Sequence, residues 1–263
     1  MNTIVCVKQV IDPEAPPASF KIDAGKKQAV MQGAPPVIDP YGEYAVEASL
    51  KIKEAQGGKV TAVSLGNGLL REVVKKPLSM GADALILLED QAFVGGDSWA
   101  TAHALAAAIR KIGEYDLILC GREASDTNAG QVGVGIAEIL GLPSVTLAKK
   151  IEITDGKAKV ERVTADGYEV VEVTIPAVIT VSNEIGEPRY PTIKGIMAAK
   201  KIEPVVWKPA DIGVEKTGAA ASRAEMLKLF QPTREGKCEI VEGDNPEDAG
   251  ARLALKLREA KVF

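Results

Sequence analysis

The chain has 263 residues, of which 46% are hydrophobic and 26% charged, a composition typical of a globular protein that buries a core. Its 32 Lys and Arg residues against 36 Asp and Glu residues give a net charge of −4, which disfavours binding to nucleic acid or to an anionic membrane. The single histidine, His103, leaves few designs with a histidine general base, and the three widely spaced cysteines exclude CxxC zinc sites and a disulfide framework. Since no apolar run approaches the roughly 20 residues of a membrane helix, we expect a cytoplasmic chain, or a matrix one if organellar, with no metal site and no catalytic residue.

Short apolar runs alternate with amphipathic stretches through the first 147 residues. The runs are predicted to be parallel strands buried on both faces: Ile4–Val7, Val60–Ser64, Ala84–Leu88, Leu117–Cys120 and Val145–Leu147. The stretches between them are predicted helices: Gly42–Glu54, Leu69–Met80, Asp97–Ile112 and Asn128–Leu140. Pro77 should break or kink the second helix near Lys76. This alternation predicts an α/β fold with an open, mostly parallel Rossmann-like sheet and helices on both faces.

Beyond Leu147 polar and apolar residues alternate, and Asp-Gly pairs at 155–156 and 166–167 predict an inserted antiparallel hairpin. The apolar run Ala177–Val181 is predicted to return to the main sheet. We therefore assign residues 1–201 to an α/β domain and residues 202–263 to a C-terminal arm that ends in a helix at about Pro246–Glu259. Either a partner subunit or the α/β domain must cover the apolar residues of the arm, and composition leaves both open.

Four loops follow the carboxyl ends of predicted strands. Open parallel sheets bind their ligands at this edge of the sheet. The four loops are Lys8–Asp12, Leu65–Gly68, Val94–Asp97 and Gly121–Gly133. The fourth opens a helix with polar residues and glycines, so free N–H groups and the positive end of the helix dipole favour a nucleotide phosphate over simple helix capping. Asp126 is expected either to cap that helix or to accept a hydrogen bond from a ribose or adenine group. The glycines at 130, 133 and 135 have the wrong order for a dinucleotide fingerprint.

The segment Glu187–Met197 is unlike core sequence. Two prolines stiffen it, Arg189 and Tyr190 add polar and aromatic groups, and Ile193, Ile196 and Met197 follow at helical spacing. These features favour a docking element for a partner over a buried connection to the arm.

With these motifs the sequence resembles the beta subunit of electron-transferring flavoproteins over about residues 1–201. The motifs that carry the resemblance are Val7–Asp12, Asp39–Tyr41 with Ala45 and Glu47, Met80–Asp83, Asp126 with Gly130-Gln131, and Glu187–Met197. The resemblance implies a heterodimer with an alpha subunit that holds the redox-active FAD. It also implies that the beta chain binds an adenine nucleotide and meets the dehydrogenase, and that the arm clasps the alpha subunit.

The resemblance further implies which residues act. The nucleotide site would comprise Cys6, Asp39, Pro40, Tyr41, Gly42, Leu65, Gly121, Arg122, Glu123, Ala124, Ser125, Asp126, Thr127, Asn128, Ala129, Gly130, Gln131 and Val132. The docking element for an acyl-CoA dehydrogenase would comprise Glu187, Pro188, Arg189, Tyr190, Ile193, Lys194, Ile196 and Met197, with Ile193 as its apolar anchor.

The identity of the nucleotide depends on Ala129–Gly133. This segment resembles the Ala-Gln-Val-Gly form of flavin-bifurcating members, which bind a second FAD there, and differs from the bulkier Asn-Gln-Thr-Gly of members that hold AMP. The resemblance therefore favours FAD in this subunit, with NADH as a hydride donor and bifurcation of the two electrons. The alternatives are a non-bifurcating beta subunit with structural AMP, and a stand-alone nucleotide-binding regulatory module. A nucleotidyl-transferring enzyme would need a His-x-Gly-His element, which one histidine excludes.

Overall fold

The structure is a computed structural model that describes residues 1–16, 19–31, 33, 35–232, 236 and 238–262. The chain divides into two compact units, Met1–Leu227 and Lys228–Phe263. The strands of the first unit are β1 Thr3–Val7, β2 Gln9–Val10, β3 Phe20–Asp23, β4 Gln28–Met31, β5 Val37–Ile38, β6 Val60–Gly66, β7 Ala84–Glu89, β8 Leu117–Gly121, β9 Ser144–Thr154, β10 Lys157–Thr164, β11 Gly167–Thr174, β12 Ala177–Val181 and β13 Val205–Trp207. Its helices are α1 Pro40–Gln56, α2 Arg71–Val74, α3 Lys76–Met80, α4 Ser98–Ile112, α5 Val132–Leu140 and α6 Ile193–Lys201.

Nine strands in the described part of the first unit form one sheet, in the order β11-β10-β9-β12-β8-β1-β6-β7-β13. The strands from β9 to β13 in this order pair in parallel, whereas β10 pairs antiparallel with β9, and β11 pairs antiparallel with β10. Two small antiparallel sheets, β2-β5 and β3-β4, lie outside it. The predicted α/β class, with a mostly parallel sheet and an antiparallel hairpin insertion, is confirmed.

Helices cover both faces of the sheet because its central strands are apolar on both sides. On β1, Val5 packs in one core with Ala45 of α1 and Leu78 of α3, while Ile4 packs in a second core with Ala102 of α4 and Ile136 of α5. Each residue along the strand points to the opposite face from the last, so a continuous apolar run can serve two layers.

The predicted second helix is broken, as Pro77 indicated. It divides into α2 and α3 at Lys75, and Pro77 takes a position in the first turn of α3, where its missing N–H costs nothing. The predicted start of α5 at Asn128 was wrong, because α5 begins at Val132. Asn128 and Gly130 have positive φ angles of 48° and 63°, which a right-handed helix does not allow.

The C-terminal part of the chain contributes to both units. β13 pairs in parallel with β7 and so forms one edge of the main sheet. In the second unit, helix α7 (Pro246–Glu259) has Asn245 as its N-cap, whose side chain accepts from the Asp248 N–H, and it exposes Leu253 and Leu255. Among the helices of the described residues, none combines the length and the apolar character that crossing a membrane requires.

Candidate functional site

A cavity of about 450 Å³ lies at the carboxyl ends of the parallel strands, and all four predicted loops line it. Lys8 follows β1, Leu65 belongs to the end of β6, Gly95–Asp97 come after β7, and the loop that begins at Gly121 follows β8. Because parallel strands end at the same edge of the sheet, loops far apart in sequence meet at one place. The volume is within the range of small-molecule sites.

Most of the residues predicted for nucleotide binding line this cavity. Those that do are Cys6, Asp39, Gly42, Leu65, Gly121, Arg122, Glu123, Ala124, Thr127, Ala129, Gly130, Gln131 and Val132. The other five lie beside it: Pro40 is the first residue of α1 and Tyr41 the second, while Ser125, Asp126 and Asn128 belong to the loop after β8. The cavity is also lined by residues outside the predicted set, namely Val7, Lys8, Phe93, Gly95, Gly96, Asp97, Ser98, Thr101, Leu105, Cys120, Gly133 and Met226. The positions of Lys8, Gly95–Asp97 and Gly133 in the four loops pointed to them, whereas Met226 has no signal in the sequence.

Asp39 joins the loop after β8 to the start of α1. Its side chain is buried, with 2% of the residue exposed. One carboxylate oxygen accepts from the Tyr41 N–H at 2.9 Å and caps α1, and the other accepts from the N–H and hydroxyl of Ser125 at 2.6 and 2.7 Å. A buried carboxylate with three donors holds both segments in one arrangement.

The start of α5 faces the cavity without a cap. Gln131 is its N-cap residue, and no side chain among the described residues caps the helix, so its first N–H groups are left for solvent or a ligand. Asp126 instead forms an ion pair with Lys8 at 2.7 Å, and the alternative that it caps the helix is wrong. Gly133 allows the close approach of α5 to the sheet, because a Cβ there would lie 2.6 Å from Thr180 Cγ2.

Cys6 of β1 and Cys120 of β8 lie opposite each other on neighbouring strands, and both line the cavity. A hydrogen bond with Cys120 and burial raise the pKa of the Cys6 thiol well above its ordinary value. A protonated thiol is a poor nucleophile. Cys6 is therefore suited to packing against a ligand and not to covalent chemistry.

Asp97 organises the third loop of the cavity. Its carboxylate accepts from the Ala100 N–H at 2.8 Å, which caps α4, and from the N–H groups of Arg223 and Ala224 at 2.7 and 2.8 Å. Burial alone would raise the pKa of Asp97, but these backbone hydrogen bonds outweigh it and hold the pKa below its ordinary value. The charged form is thus the one that the fold stabilises.

This pKa shift predicts how stability depends on pH. The stabilisation from Asp97 is complete above the pKa of an unfolded aspartate, about 3.9, and is lost as the pH falls through the lower pKa of the folded state. In Asp97→Asn, we expect a lower Tm at pH 7 and a shallower fall of Tm between about pH 5 and pH 3. Thermal unfolding measured across this range tests the expectation, and parallel curves for the two proteins would contradict it.

The predicted docking element, Glu187–Met197, lies on the surface and is here called the docking segment. Tyr190 and Ile193 are 94% and 84% exposed, and Ile196 and Met197 are also exposed. Its second part is helix α6, which packs closely on α3: a Cβ at Gly195 would lie 2.3 Å from the Ser79 carbonyl oxygen. The segment therefore presents apolar side chains from a backbone that is held against the body of the unit.

A second cavity, of about 580 Å³, lies between α6 and the α2–α3 pair. Val37, Val73 and Ile196 supply apolar lining, and Arg71, Lys75, Lys76 and Lys200 supply cations. Three of these cations already have carboxylate partners, in the pairs Arg71–Glu89, Lys75–Glu203 and Lys76–Glu43. Since the loops at the carboxyl ends of the strands line the smaller cavity, that cavity is the candidate ligand site.

The fold and the site define an α/β protein with a cavity at the carboxyl edge of a parallel sheet and an exposed apolar segment at the start of α6. The family model for the electron transfer flavoprotein domain matches residues 28–212. The electron transfer flavoprotein subunit beta of Thermoanaerobacterium thermosaccharolyticum is 39% identical over the whole of both chains. Caffeyl-CoA reductase-Etf complex subunit CarD of Acetobacterium woodii is 38% identical over the whole of both chains, and the beta subunit of Mycobacterium tuberculosis is 37% identical over 100% of this chain and 99% of its own.

The chain belongs to the electron transfer flavoprotein family, on its beta-subunit branch. Its role is accordingly in electron transfer.

Proposed function

We propose that this beta subunit binds FAD in the cavity at the carboxyl edge of the sheet and pairs with an electron-transferring flavoprotein alpha subunit. In this proposal electrons pass between an acyl-CoA dehydrogenase-type flavoprotein, NADH and a further acceptor. The single observation that carries the proposal is the uncapped start of α5, which opens into a cavity that all four loops line. The Acetobacterium relative is named as a subunit of a caffeyl-CoA reductase-Etf complex. That name supports a partner enzyme that acts on an acyl-CoA.

The residues of the cavity fit an adenine dinucleotide. N–H groups at the start of α5 would hold phosphates, and Lys8 and Arg122, now paired with Asp126 and Glu123, would turn to them. Ala129 and Gly130 line the cavity with small side chains, which leave its mouth open to a large ligand. Leu65, Phe93, Leu105 and Met226 supply apolar surface for rings. When bound, the flavin would supply the hydride and electron chemistry, and the residues of this chain would bind and orient it and exclude water.

Exposed apolar residues support pairing through the second unit. Ile240, Leu253 and Leu255 are exposed there, and residues of this kind favour contact with another chain. The proposed C-terminal arm, residues 202–263, would clasp the alpha subunit through them. A stand-alone nucleotide-binding module, in contrast, would be stable as a monomer, so size-exclusion of the chain with and without its alpha subunit separates the two.

The ligand extracted from the purified heterodimer tests the proposal. We expect about two flavins per heterodimer, whereas one flavin with AMP would replace FAD by AMP in this subunit. A heterodimer that holds no adenine compound and takes none up would overturn nucleotide binding altogether. The bifurcating version has its own test, because it requires that NADH added without oxygen reduces the flavins.

A further inference from the structure

Arg189 is the third residue of the docking segment, and its side chain bonds to α1, whereas Tyr190 and Ile193 are exposed. It stands between Pro188 and Pro191, whose rings restrict the backbone on both sides. A short backbone stretch with two such restrictions has few conformations. Fixing the Arg189 side chain therefore fixes the direction in which Tyr190 leaves the surface.

Glu47 of α1 holds Arg189 through three hydrogen bonds. The backbone N–H and Nε of Arg189 donate to Oε2 of Glu47 at 3.1 and 2.8 Å, and Nη2 donates to Oε1 at 3.2 Å. Glu47 is buried, with 4% of the residue exposed. Burial would raise the pKa of Glu47, but the hydrogen bonds and charge of Arg189 outweigh it and keep the pKa below its ordinary value.

Glu54, two turns further along α1, binds the other side of the same guanidinium. Nη1 and Nη2 of Arg189 donate to its two carboxylate oxygens at 2.5 and 3.2 Å. Residues seven apart lie on one face of a helix, so α1 presents both carboxylates to one planar fork. Arginine matches this geometry and lysine does not.

We propose that Arg189 is a positioning residue, which clamps the docking segment onto α1 so that Tyr190 and Ile193 are presented in one orientation to the dehydrogenase. The inference rests on the proposed docking function, and it assigns to Arg189 a role other than direct contact with the partner. The innermost group of the clamp is out of a partner's reach, because Glu47 is buried, whereas the Glu54 side chain is exposed.

The burial of Glu47 makes a decisive experiment possible. Glu47→Gln weakens the clamp without altering the exposed surface, whereas Tyr190→Ala alters that surface and leaves the clamp intact. These two variants, and the single variants Arg189→Gln and Arg189→Lys, are each prepared as the heterodimer with the alpha subunit. Two quantities are measured: KM and kcat with a short-chain acyl-CoA dehydrogenase as the electron donor, and hydrogen exchange of the backbone amides in residues 187–196.

If Arg189 positions the segment, Glu47→Gln and Arg189→Gln each raise KM by roughly tenfold with little change in kcat, and both speed exchange in the segment. Their double variant is then little worse than either single one, and Arg189→Lys recovers only part of the loss. Lys201→Gln, an exposed change on α6 outside both the clamp and the docking segment, is the matched control and should leave KM and exchange unchanged.

The proposal is overturned if Arg189→Gln raises KM while Glu47→Gln changes neither KM nor exchange, because Arg189 would then act by touching the partner. Failure of the docking function gives a different result. In that case Tyr190→Ala leaves KM unchanged, yet Glu47→Gln still speeds exchange in the segment.

Discussion

Replacing Ile193 by aspartate is expected to raise the KM for an acyl-CoA dehydrogenase by roughly 10- to 100-fold. Ile193 is the most exposed aliphatic side chain of the docking segment, and burying a side chain of its size in an interface contributes about 1.5–3 kcal/mol. An aspartate would lose that contribution to binding, and removing its carboxylate from water at the interface would cost further free energy. Since Ile193 makes little contact within its own chain, kcat and Tm should stay close to those of the unchanged protein.

Val170→Asp is the matched control for this change. Val170 lies on β11 of the antiparallel hairpin and is also exposed, so the same substitution is made outside the docking segment. We expect its KM to match that of the unchanged heterodimer. Equal KM values for Ile193→Asp and the control would remove the docking segment from the dehydrogenase interface.

Replacing Asp39 by alanine is expected to destabilise the protein by about 2–4 kcal/mol and to weaken nucleotide binding at the same time. The change removes the cap of α1, worth about 1 kcal/mol. It also leaves the partly buried N–H of Ser125 without its acceptor, which costs about 1–3 kcal/mol. At roughly 2–4 °C per kcal/mol, Tm should fall by roughly 4–16 °C. Ser125 belongs to the loop that lines the cavity, so the loosened loop should also lose bound nucleotide.

Asp90→Ala provides the comparison. Asp90 also caps a helical turn, Gln91–Phe93, by accepting from the Ala92 N–H at 2.9 Å, but it has no bond to the loop after β8 in the described structure. Its loss should cost only about 0.5–1 kcal/mol. Thermal unfolding and the nucleotide content of the purified heterodimers measure both effects, and a full nucleotide content in Asp39→Ala would show that Asp39 does not organise the site.

Much of the fold was predictable because local pattern and tertiary environment agree. The run Ala177–Val181 is a strand with those bounds, and Pro246–Glu259 is a helix with those bounds, since a fully apolar run needs burial and Asn-Pro is a strong helix start. The start of α5 was missed because Asn128 and Gly130 adopt positive φ angles that residue type permits but does not require.

Sequence alone determined the alternation of strands and helices, and hence which loops lie at the carboxyl edge of the sheet, because periodicity and strand direction are local properties. It also determined the family, through motifs spread along the chain. Only the tertiary structure decided how distant side chains meet: that Asp39 binds Ser125, that Met226 lines the cavity, and that Arg189 binds Glu47 and Glu54 of α1. These pairings join residues up to 142 positions apart, and their geometry depends on how whole helices pack on the sheet, which no local pattern specifies.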